Sequence, residues 1–133
     1  MKQIKEQIYK YVDNPLSPEI NFNTGLHYEA IGQTAAALSF FLRCAELTDD
    51  QTLAYEALLK THNCISSQGR RPVWEKEQLM IAMTHYPERP EAYFLLSQWH
   101  SAREEWTEAH HFAVAGQKLC DLTLPPLGSN VGY

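Results

Sequence analysis

At 133 residues the chain fits one domain with room for a real core, and its 44% hydrophobic content is ordinary for a globular protein. Sixteen acidic against eleven basic side chains leave a net charge of −5, which excludes a strong field for nucleic acid or anionic lipid. The adjacent pair Arg70-Arg71 is too small to reverse that, so neither nucleic acid nor a membrane is an expected partner.

In chain order, Lys2 to Val12 places Ile4, Ile8, Tyr9 and Val12 on one helical face, and Asp13-Asn14-Pro15 stops the helix. This stretch has no continuous apolar run and is not an export signal. The most apolar segment, Ala35 to Leu42, is far shorter than the roughly 20 residues that span a bilayer. Cys44, Cys64 and Cys120 therefore read as reduced, mostly buried thiols of a cytoplasmic protein, too widely spaced for a disulfide framework or a zinc knuckle.

Ser17-Pro18-Glu19 starts a second helix: Ser17 caps it, Pro18 suits its first turn and Glu19 faces the positive end of its dipole. Gly32 ends that helix after Ile31. The next runs from Thr34 to Leu47, and Thr48-Asp49-Asp50 caps another from Gln51 to Ser66. The loop Ser67 to Arg71 leads into a helix from Pro72 to His85, which Pro87 to Pro90 breaks. A last pair occupies Pro90 to Arg103 and Trp106 to Leu119, with a turn around Arg103–Glu105. Beyond Cys120, Pro125-Pro126, Gly128 and Gly132 predict an extended or irregular tail. No alternation is long enough for a sheet, so the fold class is all-α.

The helices repeat. Gly25, Leu59 and Ser97 stand 34 and then 38 residues apart, as do Tyr28, His62 and His100. On the following helices Ala37, Glu75 and Ala109 stand 38 and then 34 apart, as do Phe41, Leu79 and Ala113, and Cys44, Ala82 and Gly116. The order of the steps places four extra residues between the two helices of the middle pair, at residues 69–72. The basic period is 34. Small residues let helix backbones approach, and rings fill the space beside them. The middle pair departs from the pattern with Glu75 in a small-residue slot and Leu59 where glycine is usual.

A 34-residue helix–turn–helix period resembles the tetratricopeptide repeat over Ser17 to Leu119. The best matches are Gly25, Tyr28, Gly32, Ala37 and Phe41, then Tyr93, Leu96, Ala109 and Gly116. The resemblance implies a right-handed superhelix of antiparallel helix pairs, with repeats at 17–49, 50–87 and 88–121, an N-terminal helix, and an irregular tail at 122–133. A narrower resemblance, carried by Arg89-Pro90-Glu91-Ala92, the aromatic-rich helix after it, Phe112-Ala113, Gly116 and the Pro-Pro segment, is to the helical region accessory to some family-2 glycosyltransferases. It implies an accessory or oligomerisation fragment of a larger enzyme as the alternative function.

In the tetratricopeptide architecture the first helix of each pair lines a concave face that takes extended peptides. The candidate binding set is therefore Phe22, Asn23, Leu26 and Glu29, then Glu56, Lys60 and Asn63, then Phe94, Gln98 and Ser101, all expected to be exposed. Asn and Lys can bracket a carboxylate or main-chain amides. The expected partner is a peptide or protein segment. Catalysis is not expected: Ser66 to Gly69 lacks a nucleophile elbow, and Cys64 and His62 are two apart on one helix. No cofactor or metal is expected either, because Glu108-x-x-His111 has no second copy to complete a di-iron site. His62 and His100 fall in the aromatic packing slot, His110 and His111 on a solvated face, and Trp99, Trp106 and Phe112 in the core. The N-terminal helix can cap one end. The other end is left to the tail, to a second copy in a homo-oligomer, or to sequence outside this chain.

Overall fold

The computed structural model describes residues 2–120, Leu124 and Leu127, with Lys2 placed in its helix by backbone alone. Seven helices and no strand occur among the described residues: α1 (Lys2–Asp13), α2 (Pro18–Ala30), α3 (Thr34–Leu47), α4 (Gln51–Gln68), α5 (Pro72–His85), α6 (Glu91–Ser101) and α7 (Trp106–Leu119). Each packs on its chain neighbour, which is the geometry that short connections impose. None is long and apolar enough to cross a membrane.

The helix ends follow local chemistry. Ser17 Oγ accepts the Ile20 N–H at 3.3 Å, and Asp50 Oδ1 accepts the Thr52 N–H at 3.0 Å. Gly32 and Gly69 close α2 and α4 at φ of +78° and +68°, where a Cβ would be strained. Glu104 takes φ +60° in the α6–α7 turn. Asn21 is fully buried and its amide donates to the Pro15 and Ser17 carbonyls at 2.9 and 2.8 Å, which fixes the turn between α1 and α2.

Within pairs, small residues do what their spacing predicts. A Cβ on Gly25 would lie 2.7 Å from the fully buried Phe41 ring, and one on Gly116 would lie 2.9 Å from Phe94. Ser97, at the same repeat position as Gly25, donates its hydroxyl to the Ala109 carbonyl at 2.7 Å. The core is continuous: Phe22, Phe41, Cys44 and Ile65 form one cluster, and Tyr55, Leu59, Leu79 and Leu96 the next. α4 belongs to both and is buried almost from end to end.

Tyr55 joins the second pair to the third. Its fully buried hydroxyl accepts the Ala92 N–H at 2.8 Å and donates to Glu91 at 3.4 Å. Pro90, at the α6 N-cap, makes no side-chain cap bond, so Tyr55 satisfies a donor that would otherwise be orphaned. Glu91 is also paired with Arg89, Nη2 to Oε2 at 3.3 Å, and the Arg89 guanidinium lies 5.3 Å from the Tyr86 ring centroid. The Arg89-Pro90-Glu91-Ala92 motif is therefore a buried junction between helix pairs.

Three expectations are corrected. Tyr9 and Val12 do not share the buried face of α1 with Ile4; they are 70% and 65% exposed. Only the Ile4–Gln7 side packs inward, where Gln7 Nε2 donates to Thr24 Oγ1 at 3.1 Å. Trp106 is 63% exposed at the start of α7 and is not core. Cys120 is exposed, whereas Cys44 and Cys64 are buried. Of the irregular tail, Leu124 and Leu127 are half-buried against the Tyr55–Leu96 cluster; its other residues from 121 onward, Leu122 among them, lie outside the described residues.

Tyr55→Phe keeps the ring but strands the buried Ala92 N–H, while both Glu91 oxygens keep their Arg89 partners. It should cost about 1–3 kcal/mol in urea unfolding. A stability equal to wild type would show that the hydroxyl does not join the pairs.

Candidate functional site

The first helices of pairs one and two, α2 and α4, enclose a cavity of about 250 Å³ lined by Glu19, Phe22, Asn23, Leu26, Leu53 and Glu56. Asn23 and Leu26 also line a neighbouring cavity of about 280 Å³ with Gln3, His27 and Ala30, so one trough runs from α4 across α2 to α1. Its floor is apolar: Phe22 is buried on Phe41, ring centroids 5.4 Å apart, while Leu26 and Leu53 are half-buried. Asn23 and Glu19 are exposed at the rim.

Four of the predicted residues, Phe22, Asn23, Leu26 and Glu56, thus meet at one cavity. Phe22 and Glu56, expected to be exposed, are buried at 6% and 3%. Lys60 is buried too, and its ammonium sits 3.2 Å from Glu29, so burial and a partner carboxylate replace the expected open cation. Asn63 is half-buried further along α4. Phe94 is half-buried with its ring against Gly116, between the helices of its own pair. Gln98 is exposed and belongs to a different cavity, and Ser101 is half-buried at the end of α6.

Glu19 and Leu53 were not among the predicted set, although the sequence carried a signal for them. They stand 34 residues apart, one helical turn before Phe22 and Glu56, which stand 34 apart as well. Any repeat face that includes one pair includes the other.

Two carboxylates line the trough, Glu19 from α2 and Glu56 from α4. Burial pushes the Cys44 thiol up to about 12, and the charges of Glu19, Glu56 and Asp50 add to that. Cys64 is raised to about 11, again chiefly by burial. Neither can supply a thiolate near neutral pH.

Gln98 lines a second cavity, of about 260 Å³, with His62, Glu75, Trp99 and Arg103. His62 Nδ1 is 3.0 Å from the Glu75 carbonyl, a geometry in which the ring N–H donates. Glu75 fills its small-residue slot at 7% exposure, and its carboxylate lies 3.8 Å from the Arg103 guanidinium. His100 is buried and stacks on Phe112, centroids 5.4 Å apart, as its packing slot requires, while His110 and His111 are exposed. No group of three or more potential metal ligands occurs among the described residues.

This geometry is an all-α helical-repeat solenoid of the tetratricopeptide type. Among solved structures the chain is similar to "MamA MSR-1 C2", with TM-score 0.72, 13% identity, and coverage of 90% of this chain and 67% of that one. It is also similar to "MamA AMB-1 P212121", with TM-score 0.71, 13% identity, and coverage of 91% and 64%. Both are tetratricopeptide-like repeat structures, and the chain spans about two thirds of their length. No protein-family model and no curated protein sequence matches the chain.

Two outcomes follow from the buried groups. Under native conditions a maleimide should modify Cys120 alone, with Cys44 and Cys64 reacting only in denaturant; mass spectrometry showing two or three adducts on the folded chain would contradict this. Burial lowers the His62 pKa more than the Glu75 carbonyl and carboxylate raise it. Its folded-state pKa thus lies below the value of about 6.5 in an unfolded chain. Protonation then favours unfolding, so the stability associated with neutral His62 is fully present above about pH 6.5 and is lost as pH falls toward the folded-state pKa. The urea midpoint should drop on acidification through this window, and less steeply in His62→Gln. Equal slopes would sink the assignment.

Proposed function

We propose that the chain is a non-catalytic protein–protein interaction scaffold that receives an extended peptide or protein segment in the trough over α2 and α4, the concave face of a tetratricopeptide-type solenoid. The observation that carries this reading is the convergence of Phe22, Asn23, Leu26 and Glu56 with Leu53 and Glu19 around one open cavity. Phe22, Leu26 and Leu53 supply a place for an apolar side chain. Asn23 offers a donor and an acceptor to the main chain of an extended segment. Glu19, exposed at the rim, favours a neighbouring basic residue over an acidic one, the reverse of what an open Lys60 would select.

The candidate chemical groups support a non-catalytic role. Cys44 and Cys64 are buried thiols pushed up in pKa, and His62 is held against a main-chain carbonyl. All three pack. The partner's source and compartment, cytoplasmic in this reading, follow from identifying the segment that binds.

Peptides selected from a random display library against the chain should share an apolar residue beside Lys or Arg. Asn23→Ala with Leu26→Arg should weaken them by roughly tenfold or more, about 1.4 kcal/mol. Selected peptides that bind the double variant unchanged would remove the trough as the site.

A further inference from the structure

We propose a second docking surface, at the turn end of the second and third helix pairs, for an acidic stretch of a partner protein. Its cations are Arg71, Lys76 and Arg103, set on the rings of Trp74 and Trp99, and the neighbouring exposed Arg70. The Arg71 guanidinium lies 4.9 Å from the Trp74 centroid. Arg103 lies 3.6 Å and Lys76 5.3 Å from the Trp99 centroid. Trp99 Nε1 donates to the Pro72 carbonyl at 3.2 Å, which holds the Trp99 group beside Arg71. Arg70 and Arg71 line a cavity of about 260 Å³ with Gln68.

The charge here runs against the rest of the chain. Four of eleven basic residues gather on a molecule of net charge −5. Among the described residues Glu75 is the one carboxylate paired with them, at 3.8 Å from Arg103, and it is itself buried. Arg70, Arg71 and Lys76 have no ion pair among the described residues. Two of the four cations, Arg70 and Arg71, lie in the four-residue insertion that breaks the 34-residue period. A tighter turn would join the two helices without it.

Stacking gives these cations a use beyond solvation. A guanidinium flat on an indole keeps its N–H edge available, and that edge matches a carboxylate with two parallel hydrogen bonds. Held side chains also lose less freedom on binding than free ones. Arg103 is further steadied by its own bond to the Trp99 carbonyl at 2.9 Å. Val73, 67% exposed between Arg71 and Trp74, offers an apolar contact within the charge. The complement is a short segment with Asp or Glu around an apolar residue. A long polyanion fits less well, because the chain's overall negative charge repels it at a distance.

The test uses the full chain and a fluorescein-labelled peptide of about ten residues, Asp and Glu flanking a central Leu, followed by anisotropy. Binding should weaken by roughly tenfold in Arg70→Glu/Arg71→Glu, and should fall between about 50 and 200 mM salt. It should be unchanged in Asn23→Ala/Leu26→Arg, which separates this surface from the trough. Arg70, Arg71 and Asn23 are exposed and Leu26 is half-buried, and circular dichroism of both variants checks the fold. Unchanged binding in the arginine variant overturns the proposal, as does equal loss in the trough variant. Tighter binding of a single-stranded oligonucleotide of equal charge reassigns the surface to nucleic acid and overturns it. So does a wild-type dimer in sedimentation that the arginine variant abolishes while no peptide binds, because the occupant is then a second copy.

Discussion

The structure depends on α4 being buried on both sides, and the contact that completes this is Tyr55 to the start of α6. α6, with Pro90 at its N-cap, has buried first-turn N–H groups and no capping side chain of its own. Tyr55 reaches across from the preceding pair to accept from one of them, while Glu91 accepts a hydrogen bond from the phenol O–H and is paired with Arg89. Burial raises the Tyr55 pKa further, so the hydroxyl remains a donor throughout the physiological range. Without that bridge the start of α6 would lose its polar tie to α4, leaving Trp99 to the Pro72 carbonyl and Arg103 to Glu75 as polar contacts between the second and third pairs. The trough and the basic surface both require α4 in a fixed place. The trough uses one side of it, and the basic surface grows from its C-terminal end.

Repetition accounts for the intra-pair contacts, and the exceptions account for the particular character of this chain. Gly25 admits the Phe41 ring; Ser97, in the equivalent position, uses its hydroxyl on the facing backbone instead. Both allow close approach, one by absence and one by a hydrogen bond. Glu75 is different in kind. A carboxylate in a small-residue slot needs a cation, and Arg103 from the turn of the next pair supplies it. The middle pair's departures from the repeat are thereby coupled to the third pair, and the Trp99 platform forms where they meet.

The trough illustrates how burial changes the meaning of a residue. Lys60 in an open groove would attract an acidic ligand. Paired with Glu29 and nine-tenths buried, it contributes little outward field. Glu19, which the α2 dipole favours near its N-terminus, and Glu56 are the charges that line the cavity.

Most of the architecture was legible without coordinates. The 34-residue period, the capping residues Ser17 and Asp50, and the glycines at 32 and 69 together specify seven helices and their order, because capping, positive φ and apolar spacing are local properties of the chain. The face carrying Phe22, Asn23, Leu26 and Glu56 follows from the same period. What lay beyond reach was everything decided by a neighbour distant in sequence: that Lys60 meets Glu29, that Arg103 meets Glu75 and Trp99, that Tyr9 and Val12 face outward, and that Trp106 is exposed while Tyr55 is sealed. Periodicity reports which residues share a face. Only packing decides what that face meets, and through it which charges are cancelled and which remain for a partner.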